Sequence, residues 1–389
     1  MNILLEHGAD VDVTTFAGYS ALHAASSKGY VDIVKALLQK GANIDLRDKH
    51  GNCPIILAMK NNHQEVARLL IESGADLMAP LGIAIDSERI DLLQILLKSG
   101  RISDINNAVF PEGPGQLTGL TASKRAVLTG NIEVLEALVA AGVNLNARSE
   151  NDNDTSVLHF AVVSNFIPVV RRLVELGAEL SPHSKQTESV LHAAARYGYA
   201  DMCKTLIQLG ANVKVRCDSS SGIEWTPLHT AAYTGGFPVV RALVEIGHAS
   251  VDVRTGEGRT ALILAAQAGD TPTVRFLLDS GADIEAYSKS RLSALSEAVA
   301  QGHVQTVQLL IERGAELQPS QFKPGQTLMH IVAENAGSND GHEYAEIVSI
   351  LAKAGVAANS PFEDMLPIHL AAGHGCKQAT LQVSFCLNY

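Results

Sequence analysis

Apolar residues recur at helical spacing along the chain, in short blocks that each end close to a glycine. In the block 31–38 the apolar side chains fall at intervals of three and four residues, which places one hydrophobic stripe along a helix. Gly41 follows this block, and a glycine suits the left-handed conformation that commonly ends a helix because it has no Cβ. The pattern therefore predicts a series of short amphipathic helices.

The glycines that end these blocks follow a regular period. Gly8, Gly41 and Gly74 are separated by intervals of 33 residues. The full set is Gly8, Gly41, Gly74, Gly100, Gly142, Gly177, Gly210, Gly247, Gly281, Gly314 and Gly355. A fixed period of this size indicates an array of stacked repeats, which moves the functional question from catalysis to surface recognition.

A second pattern lies upstream of most of these glycines and centres on a histidine. It is clearest in the segment 226–232, Thr-Pro-Leu-His-Thr-Ala-Ala, and it returns in segments 20–25, 156–161, 189–194 and 366–372. The Ser or Thr is a good helix N-cap, and Pro is tolerated in the first turn because its missing N–H is not needed there. The small residues after the histidine let two helices approach closely.

These two patterns, held in fixed register, resemble the ankyrin-repeat family, whose unit has about 33 residues and a Thr-Pro-Leu-His-x-Ala core. The resemblance covers the chain from Met1 to about Cys376. It implies an all-α fold: an ankyrin-repeat solenoid of stacked antiparallel helix pairs with β-hairpin or turn loops and essentially no continuous sheet.

The resemblance also implies a structural role for the motif histidines, which in the family hydrogen-bond across the turn and tether neighbouring repeats. The six positions are His23, His159, His192, His229, His330 and His369. Other residues stand at this position in further repeats, which we expect to be tethered less firmly: Ile56, Gly82, Lys124, Ile263 and Ser296.

Register divides the chain into four segments. Residues 1–100 hold N-terminal repeats, of which the first is partial and the third has lost its hairpin loop. Residues 101–120 are an irregular insertion rich in Pro and Gly, which we expect to be poorly ordered and a seam between two sub-stacks. Residues 121–376 form the main stack with a partial last repeat, and residues 377–389 are an atypical C-terminal tail.

The pattern predicts individual helices and core positions. The expected helices are Ala21–Lys28, Val31–Gln39, Gln64–Glu72, Ile90–Lys98, Ile132–Ala140, Val169–Leu176, Thr271–Asp279 and Val304–Glu312. The leucines expected in the core are Leu38, Leu70, Leu206 and Leu277.

Composition restricts the cellular compartments in which the chain is expected and the class of partner that it is expected to bind. The 389 residues are 46% hydrophobic, yet no segment reaches the ~18 uninterrupted apolar residues of a membrane-spanning helix, and the N-terminus lacks a signal-peptide pattern. Five scattered cysteines favour reduced thiols in the cytoplasm or the nucleus. The net charge of −11 disfavours nucleic acid as the main partner, because phosphate contacts need clustered cations.

No catalytic or metal-binding pattern emerges from the sequence. Six of the 14 histidines occupy the motif position, and His374 and Cys376 have no partner pair at zinc spacing. Gly113, Gly115 and Gly119 lack the preceding strand and the Lys-Ser/Thr of a phosphate-binding loop. We therefore predict that the chain is not an enzyme and has no catalytic residue, metal site or cofactor.

Ankyrin proteins bind partners with their hairpin tips and the ends of their first helices, and the resemblance transfers this role to the equivalent positions here. The candidate protein-binding residues are Phe16, Tyr19, Arg196, Tyr197, Trp225, Tyr233, Arg259 and Gln267. Tyr, Trp and Arg dominate interface hot spots. The only tryptophan, Trp225, is the strongest candidate, although it could instead pack on its own enlarged loop, 217–224.

Two functions remain open at this point. The first is a non-catalytic protein-interaction scaffold, expected to be a monomeric array that binds partner proteins through the concave ankyrin groove. The alternative is a truncated regulatory or targeting region of a larger multidomain enzyme, NTPase-type receptor or channel.

Overall fold

A computed structural model gives the fold of the chain. It describes residues 7–102, 105–106, 120–147, 156–181, 188–217, 224–318, 326–336 and 342–373. The C-terminal tail, 377–389, and the partial first repeat's helix, 2–5, lie outside these residues. So does most of the Pro/Gly-rich insertion, because residues 107–119 are not described.

The described residues form short helices joined by turns. The helices are α1 (Ala21–Lys28), α2 (Val31–Gln39), α3 (Pro54–Lys60), α4 (Gln64–Glu72), α5 (Met78–Asp86), α6 (Ile90–Lys98), α7 (Ala122–Thr129), α8 (Ile132–Ala140), α9 (Val157–Val163), α10 (Ile167–Glu175), α11 (Val190–Arg196), α12 (Ala200–Gln208), α13 (Pro227–Tyr233), α14 (Phe237–Glu245), α15 (Ala261–Ala268), α16 (Thr271–Asp279), α17 (Ala294–Ala300), α18 (Val304–Glu312), α19 (Leu328–Asn335), α20 (His342–Lys353) and α21 (Pro367–Gly373). Within these ranges, β-pairing is limited to isolated bridges such as Cys217 with Trp225. The expected all-α repeat fold is confirmed.

The helices pack in two layers within each of two compact units, residues 1–179 and 180–389. In the first unit the odd-numbered helices α1 to α9 contact one another in series, and each also contacts the helix that follows it. In the second unit the first helices of the repeats, α11, α13, α15, α17, α19 and α21, form the same series, and α12, α14, α16, α18 and α20 form the other layer. Each repeat therefore buries its apolar face against its neighbours, as a solenoid requires.

The buried residues follow the apolar stripes that the sequence predicts, except that a neighbouring leucine takes the place of one predicted core residue. Leu70, Leu206 and Leu277 are fully buried, as expected, whereas Leu38 is only half-buried. Its neighbour Leu37 is fully buried instead. Both leucines share the helix face of the buried Val34, at three and four residues after it, so spacing alone does not decide which of them reaches the core.

Helix ends follow the expected cap chemistry with two exceptions. Gly41 has a φ of +83°, but Gly247 is not left-handed, and His248 takes that conformation with a φ of +51°. A Cβ at Gly247 would lie 2.7 Å from the carbonyl oxygen of Leu243, so this glycine is required by close backbone approach. Helix α10 begins at Ile167 rather than Val169, because Pro168 fits its first turn.

Repeats on the two sides of the 101–120 insertion contact each other directly. Helix α5 packs on α7, and α6 packs on α8, inside the first compact unit. Nε and Nη2 of Arg125 donate to the two carboxylate oxygens of Asp86, at 2.6 and 2.7 Å. The domain boundaries expected from the sequence stay predictions, and so does the seam.

In the part of the chain that the structure describes, no helix combines the length and the apolar content needed to cross a membrane.

Candidate functional site

Two motif histidines fix the first helices of the second unit to the hairpins that follow them. Nε2 of His192 donates to the carbonyl oxygen of Trp225 at 2.9 Å, and Nε2 of His229 donates to that of Val253 at 2.9 Å. Nδ1 of His229 accepts from the backbone N–H of Thr226, so the imidazole is the Nε2–H tautomer. Each ring therefore joins one repeat to the next hairpin.

The other four motif histidines differ in what their rings contact. Nε2 of His23 donates to the carbonyl oxygen of Asn52 at 3.0 Å, in the first unit. Nδ1 of His330 accepts from the Thr327 N–H, and its buried Nε2 has no hydrogen-bond partner at normal geometry among the described residues. Nδ1 of His369 accepts from the Leu366 N–H, and the backbone N–H of His159 donates to the Ser156 hydroxyl.

Burial holds the two tethering histidines of the second unit neutral. Burial lowers the pKa of both His192 and His229 from the usual 6.5 to about 4, opposed only in part by their hydrogen bonds to carbonyl oxygens. A ring that donates from Nε2 and accepts at Nδ1 has no room for a second proton without breaking the cap. These groups are structural at neutral pH.

Neighbouring hairpins of the second unit are also bonded to each other at their tips. The N–H of Lys289 donates to the carbonyl oxygen of Glu257 at 2.8 Å, and Nη1 of Arg254 donates to that of Tyr287 at 2.7 Å. The N–H of Cys217 donates to the carbonyl oxygen of Trp225 at 2.9 Å across its own hairpin. The hairpin backbones are thereby held in fixed positions.

Two aromatic pairs lie in successive repeats, although not at equivalent positions of the repeat. Tyr197 follows α11 and stacks on Tyr199, with 5.6 Å between ring centroids and 16° between planes. Tyr233 ends α13 and contacts Trp225 edge to face at 5.2 Å and 70°. Tyr197 is 52% exposed and Tyr233 is 49% exposed. The helices α11 and α13, which these pairs adjoin, pack against each other.

The Trp225 side chain combines a half-buried ring with an unused donor. Its Nε1 is buried and has no hydrogen-bond partner among the residues that the structure describes. Buried indole N–H groups usually find a partner, so this one is an exception that needs a reason. The loop on which Trp225 could instead pack lies mostly outside the described residues, since 218–223 are not among them.

The two candidate arginines are already paired on the protein. Nη2 of Arg196 lies 2.7 Å from Oε1 of Glu188, and burial raises the pKa of this carboxyl while Arg196 opposes the shift. Nε of Arg259 lies 3.3 Å from Oε2 of Glu257, and its Nη1 donates to Oε1 of Gln267 at 2.9 Å. Each guanidinium group therefore already has a partner on the chain itself.

The two candidates in the first unit lie on a separate hairpin. Phe16 is 95% exposed, and Nζ of Lys49 lies 3.7 Å from the centroid of its ring. Tyr19 is half-buried, with its ring centroid 5.3 Å from that of His23. Phe16 therefore presents one ring face while a neighbouring cation covers the other.

Two residues at this surface were not singled out by the sequence analysis. Tyr199 completes the stacked pair with Tyr197. Glu297 is a carboxylate only 3% exposed, and burial raises its pKa while Arg259 opposes the shift. The available signal was its place in the motif: Glu297 follows Ser296, which stands where other repeats have histidine.

Little in the described residues points to covalent chemistry. They contain no group of three or more His, Cys, Asp or Glu side chains that could hold a metal ion. Cys203 is buried, and burial raises the pKa of its thiol to about 12, which keeps it protonated and unreactive at neutral pH. The arrangement suits non-covalent recognition by aromatic and paired polar side chains.

Comparison with known proteins agrees with the repeat architecture. A family model described as ankyrin repeats in three copies matches residues 1–80, 81–185, 124–217, 191–288 and 228–321. Ankyrin repeat protein nuc-2 of Neurospora crassa is 28% identical over 200 residues, which are 51% of this chain and 18% of that protein.

Two human proteins are similar over longer stretches. B-cell lymphoma 3 protein is 31% identical over 211 residues, 52% of this chain and 38% of that protein. Transient receptor potential cation channel subfamily A member 1 is 26% identical over 304 residues, 75% of this chain and 26% of that protein. The chain thus spans less than two-fifths of the length of each of these relatives.

Proposed function

Because this chain belongs to the ankyrin-repeat family, we propose that it is a non-catalytic interaction scaffold that binds a partner protein. The binding surface, as we define it, consists of the hairpin tips and first-helix ends of the second unit that carry Tyr197, Tyr199, Trp225, Tyr233 and Arg259. In this proposal the chain needs no cofactor, and its partners are proteins.

The observation that carries this proposal is the presence of two partly exposed aromatic pairs in adjacent repeats. Large rings with polar atoms contribute much of the energy of protein interfaces, because they bury wide area and still hydrogen-bond. Tyr197 and Tyr233 are each about half exposed, so both rings offer area to a partner.

Rigidity supports the same surface. The backbone of Trp225 is hydrogen-bonded both by His192 and by Cys217. Association is opposed by the entropy of ordering the residues that make contact, so a surface that is already ordered loses less on binding. Phe16 and Tyr19 form a weaker second candidate surface, because a lysine already covers one face of Phe16.

Affinity capture with matched variants tests this proposal. The wild-type chain, Trp225→Ala and Phe16→Ala are immobilised in parallel, and the captured proteins are quantified by mass spectrometry. We expect a set of proteins that Trp225→Ala loses and Phe16→Ala keeps, with unchanged melting temperature for both variants. A captured set that survives Trp225→Ala but not Phe16→Ala would move the site to the first unit.

A second function is favoured by the length of the relatives. Each of the three is much longer than its match to this chain, and one is named as a cation channel. The chain would then be the regulatory or targeting region of a larger protein. Sequencing of full-length transcripts tests this: a reading frame joined to a channel, receptor or enzyme domain supports it, and a transcript that encodes only these repeats contradicts it.

The thiols support a reducing compartment for either function. Cys53, Cys203 and Cys217 are not joined in disulfides, so we propose that the chain works in the cytoplasm or the nucleus. Imaging of the tagged full chain in fixed cells tests that location.

A further inference from the structure

One position of the repeat, the residue directly after the motif histidine, carries a buried charge in only two of the described repeats. Uncharged residues stand at the equivalent positions 24, 57, 83, 160, 193, 230, 264, 331 and 370. Arg125 on α7 and Glu297 on α17 are the exceptions, and both are buried. A charge taken out of water is costly unless a partner compensates it.

Arg125 shows how this fold compensates a charge at that position. Its guanidinium donates twice to the carboxylate of Asp86, which lies on the first helix of the preceding repeat. Two parallel bonds of this kind make one of the stronger polar contacts available to a protein. A buried charge at this position of the repeat is thus compensated by a side chain on the first helix of the preceding repeat.

Glu297 has no such compensation. The residue of the preceding repeat that corresponds to Asp86 is Gln267, and its Oε1 accepts from Nη1 of Arg259. Arg259 in turn is held at Nε by Glu257, so it affects Glu297 through its field and not through a hydrogen bond. Among the residues that the structure describes, none donates to the Glu297 carboxylate, which is only 3% exposed.

The carboxylate is therefore a buried acceptor beside the binding surface. Glu297 lies one repeat beyond Gln267 on helices that pack against each other, α15 and α17. The Glu297 carboxylate needs a hydrogen-bond donor and lies beside partly exposed residues of the binding surface. A bound partner can therefore supply that donor. A long side chain with a terminal cation would supply both charge and hydrogen bonds.

We propose that Glu297 is a specificity-determining residue that binds a lysine or arginine side chain of the partner. This inference rests on the proposed function, because the basic side chain arrives as part of a protein bound across Trp225, Tyr233 and Arg259. The partner segment accordingly carries a basic residue at the end that lies over α17. Burial raises the pKa of Glu297, which agrees with a carboxylate that gains from a cationic neighbour.

Selection of displayed random-sequence peptides on the full chain tests the proposal. Wild type, Glu297→Gln, Glu312→Gln and Trp225→Ala are used as baits in parallel. Glu297→Gln keeps the shape of the side chain and removes its charge. Glu312→Gln is the matched control, because Glu312 lies in the second helix of the same repeat and is exposed to solvent. Melting temperatures establish that each bait is folded.

We expect the peptides selected by wild type to be enriched in Lys or Arg at one position. Their affinity should fall about tenfold or more for Glu297→Gln and stay unchanged for Glu312→Gln. Peptides that require Trp225 but show no basic preference, or bind Glu297→Gln equally well, would overturn this inference and leave the proposed function standing. Failure of Trp225→Ala to reduce binding would contradict the proposed function, and the inference with it.

Discussion

Nε2 of His192 donates a hydrogen bond to the backbone carbonyl oxygen of Trp225, with 2.9 Å between the two atoms. The donor belongs to α11 and the acceptor to the hairpin of the next repeat. The residue that we place at the centre of the binding surface is thus positioned by the tether between two repeats. Stability of the stack and geometry of the surface depend on the same histidine.

The first prediction concerns the loss of folding stability at acid pH. The pKa of His192 and His229 is about 4 in the folded chain and about 6.5 when unfolded, so the unfolded state binds more protons between these values. The contribution of each neutral histidine to the free energy of unfolding is fully present above pH ~6.5. It is lost as the pH drops toward 4, by up to about 3 kcal/mol per histidine. Denaturant unfolding at a series of pH values should show this loss.

A histidine variant separates this effect from general acid denaturation. His192→Gln should flatten the pH dependence between 6.5 and 4, while His50→Gln, at an exposed hairpin position, should leave the curve as in wild type. Equal pH dependence of His192→Gln and wild type would contradict the assignment.

The second prediction concerns the core. Leu206→Ala removes a fully buried side chain of α12 and should cost about 2–5 kcal/mol. Because repeats contact only their neighbours, the damage should split the thermal transition rather than shift it as one. Lys204→Ala, two residues earlier on the exposed side of α12, should have little effect. One uniformly displaced two-state transition for Leu206→Ala would refute the repeat-wise picture.

The third prediction concerns the ion pair that joins the repeats across the insertion. Asp86→Ala leaves the buried guanidinium of Arg125 without its bidentate acceptor and should destabilise the chain by about 3–5 kcal/mol. The double variant Asp86→Ala with Arg125→Met removes both charges and should recover much of that loss. If the double variant is no more stable than Asp86→Ala in urea unfolding, the pair is not what joins these repeats.

The fourth prediction concerns the insertion itself. Its Pro and Gly residues predict that limited proteolysis of the native chain cuts first within 101–118. Mass spectrometry of the early fragments identifies the cut site. Early cleavage inside 190–315 would instead place the weakest part of the chain within the main stack.

The sequence predicted helices and repeat order well, because both follow from periodic apolar positions and cap residues. It placed α4 and α18 at their observed bounds, but it chose Leu38 over Leu37, since adjacent apolar residues leave the rotation of a helix open. The glycine pattern predicts a left-handed conformation at Gly247, but the next residue, His248, adopts it instead.

The candidate site was less predictable than the fold. Trp225 could be marked from its rarity and motif position, whereas its unused N–H depends on what surrounds the ring. Glu297 stands out in the sequence only as a charge at a position that is uncharged in most repeats. Only the packing of α15 on α17, and the pairing of Arg259 with Gln267, left its carboxylate without a donor.

The most direct test of the account is the affinity of a captured partner for Trp225→Ala, measured by titration calorimetry beside thermal melting of the same protein. Binding should weaken by at least about 2 kcal/mol, roughly 30-fold, with the melting temperature unchanged. A lower melting temperature together with wild-type affinity would show that Trp225 only packs on its own loop, and would contradict the account.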